Sequence, residues 1–387
     1  MTKRLSWLAN APSFLLLLPL AACTTVNITR VEPVDYANVG EISLNVAATE
    51  PLNHQLLDIG IVVFKNDEDE SAAQTYGERV FAEVRDKEVR YLPYLLRQVL
   101  IESQQWGAVR VLPQADPSVD LLIRGAILRS SGTELAIRIE VEDSTGRDWL
   151  NAVYGDAAVL SDYPRDIRYT TSRPFVPSEH HEPYQDLYEK IANDLVAVRS
   201  NLSVNDLRTI RNVSTLVYAN DLSPESFGHM LITNDNGHME AASLPADNDP
   251  MLARVEDMRI RHYVFIDTVD EYYGILHDEM EQAYIMWRRH SFDQRAQLLT
   301  REQRPSNEDF FGSSGYAALT QRYNRFRWSK IYQQEFQELA AGFNQELAPA
   351  ILELNEQVHG LSGTMAEQYI QWRRILRQLF ELEIGGA

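Results

Sequence analysis

Apolar and polar residues change rhythm along this chain, and the changes divide it. Leu56 to Phe64 is a nearly continuous apolar run closed by the polar stretch Lys65 to Ser71, as suits a strand covered on both faces. Glu88 to Gln105 then has helical spacing: Val89, Leu92, Leu96, Val99 and Leu100 share a face, and Gly107 closes it. Strands follow. Ala108 to Leu112 stops at Pro113, and Val119 to Leu128 and Glu134 to Glu142 flank the turn Ser130 to Gly132. A second turn, Asp143 to Gly146, leads into Trp149 to Tyr154. Upstream, residues 24–53 scatter Val26, Ile28, Val31, Val34 and Val39 among polar positions. They read as a tether, with one candidate short strand where Glu41 to Val46 alternates with period two.

From Pro183 onward the period is helical. Tyr184 to Leu202 and Val204 to Ala219 are predicted helices with Ser203 as the cap between them, and residues 220–250 are a predicted loop. A long helix is expected from Pro250 to Leu299, its stripe being Tyr263, Ile266, Val269, Tyr273, Leu276, Met280, Ala283 and Trp287. After the loop 304–315 a second stripe reads Tyr332, Phe336, Leu339, Phe343, Leu347, Ala350, Leu354 and Val358. Pro349 should kink or divide that helix, and Gly360 should end it. A last helix carries Met365, Tyr369, Trp372, Leu376 and Leu379. The class expected is α+β: a small α/β sandwich over 54–165 (a mixed sheet with helices on a face), a hinge over 166–182, and an all-α helical bundle over 183–387.

The first 22 residues have the order of an export signal. Lys3 and Arg4 precede the apolar run Phe14 to Leu18, and Pro19 and Leu20 lead to the small residues Ala21 and Ala22. The run is too short to span a bilayer. The site Leu20-Ala21-Ala22-Cys23 resembles a bacterial lipobox, and Cys23 is the only cysteine in the chain. That resemblance implies cleavage before Cys23, thioether lipidation of its sulfur and acylation of the new amino terminus. Each buried methylene contributes about 0.8 kcal/mol, so more than one chain gives a firm anchor. Thr24 stands where an Asp would signal inner-membrane retention, so the expected address is the periplasmic face of the outer membrane.

Loss of residues 1–22 removes two basic residues and no acids, leaving 34 basic against 56 acidic residues and a net charge of −22. Such a balance argues against nucleic acid and against adsorption on anionic lipid, which both need a basic footprint. With Cys23 lipidated, no thiol is left for a disulfide, a metal site or a nucleophile.

The strand Val119 to Gly125 and the turn Asp143 to Trp149 carry a family resemblance. The first matches an "aDylitG" strand and the second a shortened D-x-x-T-G-x-x-W turn. Residues 54–160 thereby resemble a periplasmic module of the curli-secretion lipoprotein, the amino-terminal domain of the Tol translocation protein and lipoprotein activators of peptidoglycan synthases. The resemblance implies the sandwich fold and roles in assembly and partner binding. It brings no catalytic residue.

One internal echo stands out. Tyr284-Ile-Met-Trp287-Arg288-Arg289 is matched by Tyr369-Ile-Gln-Trp372-Arg373-Arg374, each with a Met four residues before its Tyr. The plainer expectation places Tyr and Trp in the core and the Arg pairs in solvent, their stems lying on apolar surface. The sharper one makes Trp287, Arg288, Arg289, Trp372, Arg373 and Arg374 an interaction site, two arginine–aromatic corners converging on an acidic glycan, phosphate or carboxylate.

Other chemistry is sparse, and neither a metal nor a cofactor is expected. Ser178-Glu-His180-His181-Glu182 has Gln185 where H-E-x-x-H needs its second His, and Pro183 interrupts the helix. Glu356-x-x-His359 is a single copy where di-metal bundles need two, and His359 reads as a cation at a helix end. His277 and Glu281 read as a surface pair. Gly312 to Gly315 and Gly360 to Gly363 each fall one residue short of G-x-S-x-G. The function expected is a non-enzymatic, partner-binding or assembly lipoprotein of the envelope, touching the bilayer through Cys23. The alternative is an enzyme acting on peptidoglycan or another periplasmic glycan, with acidic catalysts in the helical half. A small-ligand bundle would need polar groups facing inward, which the apolar stripes do not suggest.

Overall fold

The computed structural model describes residues 36, 38–49, 51–68, 82–163, 182–246, 249–302, 323, 351–354 and 357–385. Cys23, the loop 304–315 and the stripe from Tyr332 to Ala350 lie outside the described residues. The chain is α+β: a mixed six-stranded sheet with helices, followed by a helical carboxyl-terminal region.

The sheet is built from β1 (Ile59–Val62), β2 (Lys65–Asn66), β3 (Val109–Leu112), β4 (Leu121–Ser130), β5 (Glu134–Asp143) and β6 (Asp148–Ala157), in the order β3-β1-β4-β5-β6, with β2 beside β4. β1 runs parallel to both β3 and β4, and the crossover to β3 is α1 (Ala82–Glu102), as a parallel pair requires. β4, β5 and β6 form the antiparallel meander expected from their turns.

Both signature motifs have a structural reason. Asp143 accepts from the backbone N–H of Thr145 at 2.9 Å and from the Thr145 hydroxyl, while its second oxygen accepts from Trp149 Nε1 at 2.8 Å. Gly146 takes φ +83°, a left-handed turn position that suits glycine. At Gly125 a Cβ would fall 2.3 Å from the Phe64 ring, so only glycine lets that ring lie on the strand.

Alternation along the strands sends side chains to two cores. Leu121, Ile123 and Ile127 of β4 and Leu135, Ile137, Ile139 and Val141 of β5 join α1, α2 (Gln185–Ser200) and the later turns of α5 (Pro250–Glu302). Leu122 of β4, with Val111 and Leu112, joins the end of α3 (Val204–Leu222), the early turns of α5 and α6 (Met365–Gly385). Both clusters therefore cross the boundary expected at 166–182: the helices after Pro183 complete the core of the sheet. At 53 residues, α5 is about 80 Å long and reaches both clusters. Its expected stripe faces inward, from half-buried Tyr263 to Trp287, with the Ala283 side chain outside the described set. Ser203 caps α3 as expected: its hydroxyl accepts from Asp206 N at 3.1 Å and Asp206 accepts from Ser203 N at 2.9 Å.

Exposed sheet edges invite unwanted pairing, and both are covered here. Beside β3, Asp270 of α5 accepts the Val111 N–H at 2.8 Å and pairs with Arg97 at 2.5 Å. Beside β6, Val39 donates its N–H to the Gly155 carbonyl at 3.0 Å, and the Tyr36 ring lies where a Gly155 Cβ would project.

Several expectations fail. Glu41 to Val46 is not a strand: Ile42 N donates to Asp186 at 2.8 Å, Asn45 N to Asn193 at 2.8 Å, and Ala47 N to the Ser103 carbonyl at 2.9 Å. The alternation packs a strap against α2, so Tyr36 and residues 38–49 belong to the body and not to a free tether. The second stripe does not continue as helix to Val358. β9 (Ile351–Leu354) and β10 (Gln357–Gly360) pair antiparallel, Gln357 opposite Leu354 and Gly360 opposite Ile351. Pro349 supplies no N–H to a helix ladder, which disfavours a helix through this stretch. His359 is thus a strand residue rather than a helix-end cation. The loop 220–250 also has structure: a short helix α4 (Pro224–Phe227) and a hairpin of β7 (Leu231–Thr233) and β8 (Met239–Ala241).

Candidate functional site

The echoed segments are answered first by their partners. Arg288 is fully buried. It donates to the Ser131 carbonyl at 2.7 Å, pairs with buried Glu88 of α1 at 3.4 Å, and lies 4.6 Å over the Tyr184 ring and 4.8 Å over Tyr284. Tyr284 donates to the same Glu88 oxygen at 2.7 Å. In the second copy Tyr369 donates to Asp116 at 2.6 Å and Arg373 pairs with Asp116 at 2.9 Å. Each copy therefore closes a Tyr hydroxyl and an Arg guanidinium on one buried carboxylate of the sheet module.

These clamps correct both expectations for the six residues. Trp287 and Trp372 are buried, as the plainer reading had it, but Arg288 is buried with them, and Arg373 is mostly covered and also reaches Asp221 at 2.6 Å. Only the second arginine of each pair approaches the plainer reading: Arg289 pairs with Asp293 at 3.2 Å and Arg374 is exposed. Adjacent helix positions point about 100° apart, so an Arg pair is divided between core and surface. The two corners hold separate acids of their own chain, Glu88 and Asp116.

Among the described residues, Asp116 is the most heavily bonded carboxylate. Beside Tyr369 and Arg373 it accepts from Ser118 N at 2.9 Å and Ser118 Oγ at 2.6 Å, and it lies 3.0 Å from His262 Nε2. Burial alone would raise its carboxyl. The His262 hydrogen bond and the Arg373 charge outweigh burial and hold it well below the usual carboxylate range. His277, expected in a surface pair with Glu281, is instead buried and stacks on Tyr91 at 4.7 Å between centroids.

Of the Ser178 to Glu182 cluster only Glu182 is described. Burial pushes its carboxyl up to about 7, against the pull of Arg288 and the Tyr184 N–H, and its Oε1 is buried without a partner. The raised value means the folded state holds a proton that the unfolded state releases at lower pH. Stability should therefore fall as pH rises from about 4.5 to about 7. Glu182→Gln removes that loss, and urea denaturation should show the variant gaining about 1–3 kcal/mol on wild type across the window. Parallel stability curves would show that Glu182 does not titrate there.

An open site lies at the amino-terminal ends of β1, β3 and β4, under α3 and α5. It is a polar cleft of about 530 Å³ whose lining includes Asp58, Asp120, Arg208, Arg211, Arg259 and Tyr263. Asp120, the acid of the aDylitG motif, accepts from Asp58 N at 3.0 Å and from the Ser214 hydroxyl. Burial raises its carboxyl, with Asp58 adding to the shift and Ser214 opposing it. Asp58 accepts from Ala108 N at 2.9 Å. Arg259 donates from Nε to the Tyr263 hydroxyl at 2.8 Å and from Nη1 to Thr215 Oγ1 at 2.8 Å. Arg110 stacks 4.5 Å from the Tyr263 ring centre, so the ring is held by two guanidiniums. The stripes concealed this inward polar face because Ser214, Thr215 and Arg259 sit beside the apolar positions of their helices.

Among the described residues, no group of three or more His, Cys, Asp or Glu is placed to hold a metal ion, and no helix is long and apolar enough to cross a membrane. No family model matches the chain, and no curated protein does. Among solved structures, a dodecameric single-substitution variant of PelC from Paraburkholderia phytofirmans is 12% identical, with a TM-score of 0.22, covering 38% of this chain and 93% of its own. A hypothetical protein, CT253, from Chlamydia trachomatis is 9% identical, with a TM-score of 0.22, covering 37% of this chain and 96% of its own. The chain is similar to both over that span, and neither likeness is close enough to speak to its fold or function.

Proposed function

We propose that this chain is a bacterial envelope lipoprotein, held to the periplasmic face of the outer membrane by lipid on Cys23, whose body binds a protein partner in an assembly. The observation that carries the reading is Leu20-Ala21-Ala22-Cys23 behind an export signal, with no other cysteine to compete for a role. Docking of Tyr36 and residues 38–49 on the body leaves residues 24–35 to connect it to the lipid. Fully extended, residues 24–35 span at most about 40 Å. A resemblance to assembly modules over 54–160 supports the same reading. An enzyme reading has one favouring observation, though in the sheet module and not in the helical half where its acids were expected: Asp58 and Asp120 line one cleft and burial raises the Asp120 carboxyl.

Cross-linking and pull-down from native envelopes test the proposal, comparing wild type with Cys23→Ser carrying an ordinary secretory signal. A stoichiometric partner recovered with wild type and depleted with Cys23→Ser is expected. Clean monomers that turn over peptidoglycan would replace the proposal with the enzyme reading.

A further inference from the structure

Two arginines are buried among the described residues, and they are treated differently. Arg288 has Glu88. Arg259, 9% exposed, has a phenol and a threonine hydroxyl as hydrogen-bond acceptors and forms no ion pair with a described carboxylate. Mostly covered Arg373 has two acids, Asp116 and Asp221. A guanidinium removed from water is costly unless an anion neutralises it, and a described carboxylate does so by ion pairing for Arg288 and Arg373 but not for Arg259.

The unpaired guanidinium is not sealed in a core. Arg259 lines the polar cleft, and Arg208 and Arg211 of α3 line it too, both exposed. Arg211 spends one donor on the Asn53 carbonyl at 3.0 Å, and Arg208 forms no ion pair with a described residue. Three arginines facing one cleft are notable in a chain of net charge −20. The acids of the lining are Asp58, Asp120 and Glu256. Asp58 is bonded to the Ala108 N–H, both Asp120 oxygens are occupied, and exposed Glu256 forms no ion pair with Arg259. A volume of about 530 Å³ suits a small ligand.

We infer that this cleft binds a small oxyanion, a carboxylate or phosphate group, with Arg259 as the buried counter-charge and Arg208 and Arg211 at the mouth. The planar guanidinium fork matches both groups. Tyr263 and Thr215 hold the Arg259 fork before the ligand arrives. The inference stands apart from the Cys23 anchor, and either can fail alone.

The test is titration calorimetry on the full-length protein in detergent, with inorganic phosphate and with malonate at matched ionic strength. Saturable binding of one or both is expected, and the probe that binds names the group. Arg259→Gln should weaken it about tenfold or more, the loss of a charge-assisted hydrogen bond. If Arg259→Gln does not fold, Arg208→Ser with Arg211→Ser alters only exposed side chains and should also weaken binding severalfold. Binding of neither probe to wild type, or binding unchanged in the variants that fold, overturns the inference.

Discussion

Replacing Arg288 with alanine should cost about 3–5 kcal/mol of folding stability, the range for removing one partner of a buried ion pair. The substitution strips Glu88, only 1% exposed, of its cation and the Ser131 carbonyl of its 2.7 Å donor. It also loosens the turn between β4 and β5. Gly132 approaches the α5 backbone so closely that a Cβ would fall 2.1 Å from the Arg288 carbonyl, and its N–H donates to Ser291 Oγ at 3.0 Å. Urea denaturation reads the loss. Combining Arg288→Met with Glu88→Leu should recover most of it, because a packed apolar pair carries no unpaired charge. A double variant as unstable as Arg288→Ala would mean that the turn contacts, and not the charge pair, set the cost.

Asp116→Ala should have an effect of the same size, about 3–5 kcal/mol, for the mirror reason: the acid is removed and its donors stay behind. Tyr369, His262 and Ser118 lose their acceptor, and Arg373 keeps only Asp221. Because the Asp116 carboxyl is held below the ordinary range, its contribution is complete above the unfolded pKa of about 3.9 and is lost as pH falls through the lower folded value. The deficit of Asp116→Ala should therefore stay constant from pH 8 to 5 and shrink only at strongly acid pH. A deficit that shrinks already between pH 7 and 5 would contradict this assignment to Asp116.

The class of fold was legible because strands and helices write their periods locally. The alternation of β5 and the stripe of α5 needed no knowledge of the rest of the chain. Pairing was not legible. Arg288 finds Glu88 across 200 residues and Tyr369 finds Asp116 across 253, and no local pattern announces either. A sharper signal was present in the repeat itself. Tyr and Arg at i and i+4 lie on one face, so both could grip one acid, whereas both arginines of a pair could not share that face. The failed helix after Pro349 has a similar lesson, since an apolar stripe at threes and fours also fits short strands once a proline removes the ladder. Asp120 shows how a motif can be read as fold alone and still line a cleft: its carboxylate ties Asp58 to Ser214 at the cleft floor.

The proposed attachment at Cys23 is tested most directly by the mass of the amino-terminal peptide of the protein purified from membranes. The peptide should begin at Cys23, carry a diacylglyceryl group on sulfur, and be acylated at its amino terminus. A free Cys23 thiol, or a mature chain beginning at another residue, would contradict it.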